Sequence, residues 1–120
     1  MKGYFDSTSY HTPEKEHLSF KEKILLNNRI YFSLKYAGTV LRTRNEAVRK
    51  IYDRKAWTDS SFEIFRFIEK AGGKFYITGM ENITQPAGPV IFISNHMSTL
   101  ETMILPSIIG PHKEVTFVVK

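Results

Sequence analysis

"PVIFIS" (Pro89–Ser94) is a short, continuous apolar run of β-branched and aromatic residues, followed directly by "NHMSTLETMILPSII" (Asn95–Ile109). A run of this kind, bounded by turn residues, reads as a strand buried on both faces. From Thr99 the pattern becomes helical, and Pro106 should kink or shorten that helix. "EVTFVVK" (Glu114–Lys120) reads as another strand. Strand, helix, strand in this order implies a right-handed crossover and parallel pairing. Upstream, "KFYITG" (Lys74–Gly79) reads as a strand and Met80–Pro89 as a turn-rich loop. The expected fold class is α/β: N-terminal amphipathic helices, then the first strands and helix of a mainly parallel sheet. Three strands with apolar edges make a poor sheet of this class, so the sheet is expected to be truncated and the chain to be the N-terminal part of a longer protein.

The segments before this region are of a different kind. Residues 1–18 are polar, rich in Ser, Thr and His, and read as a loose arm. Residues 19–57 read as a basic amphipathic helical region, and 58–120 as the start of the α/β domain. From about Ser19 to Arg44, Leu26, Ile30, Leu34, Ala37 and Leu41 recur at helical spacing and share one face. A second helix is expected over about Asn45–Lys55. A third, "SSFEIFRFIEKAGG" (Ser60–Gly73), has Asp59 as its expected N-cap and Gly72–Gly73 as its stop.

Composition narrows the class. The chain has 120 residues, 42% of them hydrophobic, which is enough for a core and argues against disorder. The absence of cysteine excludes disulfides, thiolate metal sites and a cysteine nucleophile. No signal-peptide core opens the sequence, and no apolar run approaches the ~18 residues of a spanning helix. Charge is uneven. Met1–Trp57 holds twelve Lys/Arg and six Asp/Glu, whereas Thr58–Lys120 holds five and six. A basic first half points to an anionic partner. Aromatic and basic residues around the apolar stripe suit a helix lying in a membrane interface, with Arg29, Tyr31, Phe32, Lys35, Tyr36 and Arg42 as candidate contacts. Localisation is then expected to be cytoplasmic and peripheral on an anionic membrane surface. A core-packed amphipathic helix is the plainer alternative. A non-catalytic module that grips acidic lipid or nucleic acid is another. No nucleic-acid motif stands out, so a nucleic-acid partner is not expected.

His96 and Glu101 stand five apart, about 140° around an ideal helix, so they cannot share a helical face. If His96 ends the strand and precedes the helix, the turn can bring the two side chains together, at the strand end where open α/β sheets place ligands. A histidine held by a carboxylate through one ring nitrogen can act as a general base with the other. "STLE" (Ser98–Glu101) also matches a capping box, which alone would account for Ser98 and Glu101. Both readings stand at this level. His11, His17 and His112 show no metal-ligand spacing, and no metal or bound cofactor is expected. Ser94 and Ser98 lack a nucleophile elbow.

The ordered set Gly79, Glu81, Asn82, loop, apolar strand, Asn95, His96, Ser98 and Glu101 resembles the first motif region of glycerolipid acyltransferases of the 1-acylglycerol-3-phosphate O-acyltransferase type. The resemblance covers about Gly72–Lys120. The usual acid five after the histidine in that family is Asp; here it is Glu101, one methylene longer. Later family motifs, including a Phe-Pro-Glu-Gly-Thr-like block, are absent from the chain. The resemblance implies transfer of a fatty acyl group from acyl-CoA or acyl-acyl carrier protein to a lysophospholipid. His96 would take the hydroxyl proton and Glu101 would orient His96. Asn95, Ser98 and Thr99 would lie beside them. It also implies that the segment alone is inactive.

Overall fold

The computed structural model describes residues 4–5, 8–14, 29–95 and 97–117; the Arg29 side chain lies outside the description. In chain order the elements are β1 (Tyr10–His11), α1 (Arg29–Val48), α2 (Arg54–Lys70), β2 (Tyr76–Ile77), α3 (Glu81–Thr84) and α4 (Leu100–Ile109). The hub is α2. Asp53, in extended backbone, caps it by accepting the Ala56 N–H at 2.8 Å. Asp59, the expected cap, instead lies inside the helix and pairs with Lys55 one turn back at 2.5 Å. The helix therefore starts earlier, at Arg54, and what read as a separate second helix is divided between the end of α1, a non-helical stretch over 49–53 and the first residues of α2.

The two longest helices end in the same way. At the end of α2, Gly72 donates to the Glu69 carbonyl and Gly73 to the Ile68 carbonyl, with Gly72 at φ 99°. At the end of α1, Lys50 donates to Ala47 and Ile51 to Glu46, with Lys50 at φ 59°. Both are Schellman motifs, in which a left-handed residue turns the chain so that two orphan carbonyls are satisfied. The break expected near Arg44–Asn45 does not occur, because neither residue interrupts the helical ladder. The start expected at Ser19 lies outside the described residues.

One face of α2 and the C-terminal part of α4 form the core. Phe65 is fully buried, with Phe5, Met80, Ile83, Ile108 and Ile109 around it. Phe65 stacks on Phe75 at 4.1 Å and meets the Phe5 edge at 5.3 Å. Such ring pairs contribute about 0.5–1.5 kcal/mol each beyond area burial. Helices α2 and α4 cross closely at small residues. A Cβ on Gly110 would sit 2.2 Å from Thr58 Cγ2, so only glycine fits there. Arg54 closes the same end by donating to the Gly110 carbonyl through Nη2 (2.6 Å) and Nε (3.1 Å). Pro106 does lie within α4, as expected. Next to it, the buried Ser61 hydroxyl donates to the Met103 carbonyl at 2.5 Å and accepts the Ser107 N–H at 3.0 Å. A side chain thus bridges two groups that an unbroken helix would join directly.

The described part of the expected loose arm is packed. Phe5 enters the core, and Tyr4 stacks on Phe62 at 4.3 Å. Strand β1 pairs antiparallel with β2, Tyr10 opposite Ile77 and His11 opposite Tyr76. Thr12 and Thr8 extend the ladder to Phe75 and Met80. The buried Glu69 carboxylate accepts from Tyr10 Oη and Thr12 Oγ1, both at 2.7 Å, and pairs with Arg66 at 2.7 Å. Polar residues read as a solvated arm are instead the partners of a buried carboxylate.

The parallel sheet is not found among the described residues. The sheet there is two-stranded and antiparallel, between β1 and β2. Of "KFYITG" only Tyr76–Ile77 is strand. Val90–Ser94 is not strand, and Ile91 and Ile93 are 89% and 92% exposed. Residues 114–117 are not strand either, and 118–120 lie outside the described residues. An apolar run becomes a strand only when a neighbour matches its N–H and C=O groups. Here the helix that should cover it, α4, packs on α2 instead.

Candidate functional site

The site is built at the N-terminus of α4. Ser98 Oγ accepts the Leu100 N–H at 3.1 Å. The Glu101 carboxylate reaches back to the Ser98 N–H (3.2 Å), the Ser98 hydroxyl (3.2 Å) and the Met97 N–H (3.0 Å). Glu101 reaches back to the Ser98 N–H as the acid of a capping box does, whereas Ser98 Oγ takes the Leu100 N–H rather than that of Glu101. The capping reading of "STLE" is therefore met in its Glu101 half. Thr99 already has helical backbone angles, and its carbonyl accepts from Thr102 Oγ1 at 2.8 Å.

These bonds also set the charge of Glu101. Its own backbone N–H, then those of Met97 and Ser98 with the Ser98 hydroxyl, hold its carboxyl below the usual carboxylate range, against a smaller desolvation penalty. It is thus ionised at neutral pH, at the start of a helix where negative charge is favoured. His96, the other half of the expected pair, lies outside the described residues. Asn95, Met97, Ser98 and Thr99 are all exposed, so the site is open to solvent along this stretch.

The upstream motif lies elsewhere. Gly79 adopts φ 73° and its carbonyl accepts the Asn82 N–H at 3.0 Å, starting the single turn of α3. Met80 and Ile83 anchor that turn in the core beside Ile108 and Ile109, at the C-terminal end of α4. Glu81 and Asn82 are therefore held near the far end of α4 from Glu101, a helix about 15 Å long at 1.5 Å per residue. Among the described residues, no three His, Cys, Asp or Glu side chains cluster as metal ligands would.

The candidate membrane contacts divide. Tyr31, Phe32 and Tyr36 are half-buried, with Phe32 stacked on Tyr36 at 5.9 Å and Lys35 over the Tyr31 ring at 5.9 Å. Arg42 is taken by Glu46 (3.0 Å) and Glu63 (2.6 Å), and so ties α1 to α2. The buried contact of α1 is Thr39, which donates to Glu63 at 3.3 Å. The apolar stripe Ile30, Leu34, Ala37 and Leu41 is exposed, and Val48, which sequence reasoning assigned to another helix, continues it. No helix among the described residues is long and apolar enough to cross a membrane. No known protein family, curated protein or solved structure matches this chain.

Proposed function

We propose that this chain carries the catalytic histidine segment of a glycerophospholipid acyltransferase working at an anionic membrane surface. The observation that carries the reading is the Glu101 carboxylate, ionised and bonded to the N–H groups of Met97 and Ser98, the two residues that follow His96. A carboxylate bonded to the backbone of the residues next in sequence to His96 supports the reading that it would orient the imidazole. His96 would remove the proton from a lysophospholipid hydroxyl, the oxygen would attack the thioester carbonyl of acyl-CoA or acyl-acyl carrier protein, and the C–S bond would break to release the carrier thiolate, which takes the proton back from His96. Glu101 would hold the imidazole tautomer and balance the imidazolium that forms. Asn95, Ser98 and Thr99 are exposed and would be available to substrate. The capping role and the catalytic role use one carboxylate and are compatible.

The experiment separates charge from capping. Glutamine keeps an amide oxygen for the Met97 and Ser98 N–H groups but has no charge for an imidazolium. In the longest polypeptide that carries this segment, Glu101→Gln should keep most of its melting temperature and lose acyl transfer by at least about tenfold, roughly 1.4 kcal/mol. Glu101→Asp should retain more activity than Glu101→Gln. His96→Ala should lower the rate by about 10²–10⁴. Full activity in Glu101→Gln leaves the capping box as sufficient explanation and removes the pair; full activity in His96→Ala removes the mechanism.

A further inference from the structure

Helix α1 is inverted relative to an ordinary surface helix. At 3.6 residues per turn, Ile30, Leu34, Ala37, Leu41 and Val48 fall within about 60° of one another. That ridge lies roughly opposite Thr39, the residue α1 buries toward α2. Ile30, Leu34, Leu41 and Val48 are 64%, 69%, 60% and 73% exposed. The polar side, with Thr39, Arg42 and Glu46, faces the protein through Glu63, and the apolar side faces out. The ridge spans 19 residues, Ile30 to Val48, a rise of about 27 Å.

We infer that this outward ridge is the membrane-inserting face, lying in the headgroup layer of an anionic bilayer. The inference deepens the lipid-surface part of the reading above and rests on it. It reassigns the contact from Tyr31, Phe32 and Tyr36, which are half-buried, to residues on the other side of the helix. Charge selects the occupant. From Arg29 to Lys50 there are six basic residues (Arg29, Lys35, Arg42, Arg44, Arg49, Lys50) and one acidic, Glu46. A second copy would bring the same positive charge against itself, whereas anionic headgroups complement it. Arg44 and Arg49 are exposed and lie toward the two flanks of the ridge, where long cationic side chains can reach headgroups while the ridge sits deeper.

The test uses the 120-residue chain in flotation with vesicles of phosphatidylcholine alone and of phosphatidylcholine with phosphatidylglycerol in equal parts. Sedimentation velocity is run without lipid. The wild type should float with the anionic vesicles and, in dilute solution, be a monomer without them. Leu34→Ser/Leu41→Ser alters exposed positions, should keep its helical circular dichroism, and should bind at least about tenfold more weakly. Arg44→Gln/Arg49→Gln should lose about fivefold per charge removed, and less at high salt. Binding that Leu34→Ser/Leu41→Ser leaves unchanged overturns the ridge while sparing the lipid surface. No flotation of the wild type with either vesicle overturns both. A dimer that Leu34→Ser/Leu41→Ser dissolves makes the ridge a contact between copies and overturns the inference. None of these readouts depends on acyl transfer, so failure here is distinct from failure of the His96 chemistry.

Discussion

Lys50 and Gly72 occupy the same place at the ends of two helices, and the chemistry of the site suits only one of them. A side chain in the left-handed region brings Cβ against the following carbonyl at about 1–2 kcal/mol, which glycine avoids. Lys50 bears that strain at φ 59°; Gly72 does not at φ 99°. Lys50→Gly should therefore raise stability by about 0.5–1 kcal/mol, the relief being offset in part by the freer unfolded chain. Gly72→Ala should lower it by about 1–2 kcal/mol. Urea melts of the two variants check this: midpoints that shift in opposite directions with unchanged slope are expected, and a lower midpoint for Lys50→Gly contradicts the argument. The pair also shows what the sequence discloses at this scale. Gly72–Gly73 announced its helix end because glycine is the common left-handed residue. Lys50 carries no such signal, so the end of α1 was invisible. "STLE" was legible because a capping box is local. Ser61, which bridges Met103 and Ser107, was not, because its partners lie more than forty residues away.

At the scale of elements, the N-terminal strap is held by phenols and carboxylates more than by its two-residue strand. Tyr4 donates to Asp59 and Tyr10 to Glu69. Burial, then the neighbouring carboxylate, raises both phenol pKa values above the usual 10.0. A raised pKa means the folded state holds the proton more tightly than the unfolded state. The contribution to stability is complete below pH 10 and is lost as pH rises through the folded pKa values. The strap should thus release at alkaline pH before α2 melts. Tyrosinate absorbance should rise in step with loss of near-ultraviolet dichroism while far-ultraviolet dichroism persists. Tyr4→Phe/Tyr10→Phe should abolish that alkaline step. A step that survives in the double variant would place the titration elsewhere. The strap escaped the sequence reading for a related reason: Tyr, Thr and Ser at turn-rich spacing look solvated until Glu69, on another element, is seen to be buried.

At the scale of the molecule, helix existence was far more legible than pairing. The apolar faces of α2 and α4 repeat at local spacing, and both helices form. A strand is not a local object, since it needs a second chain segment at matched register. Val90–Ser94 has every local mark of a central strand and, among the described residues, no strand beside it. It leaves Ile91 and Ile93 exposed within an uncharged β-branched run, the composition that pairs edge to edge with other chains. Concentrated samples of the 120-residue chain should therefore associate through this run. Ile91→Lys/Ile93→Lys should slow that association at least tenfold, by light scattering at fixed concentration, because like charges in register repel. The melting temperature should change little, since both side chains already face solvent. A marked fall in melting temperature would mean that the run is buried in solution. Unchanged association with an unchanged melt would shift the sticky surface to the ridge of α1, where Leu34→Ser/Leu41→Ser would then be the variant that stops it.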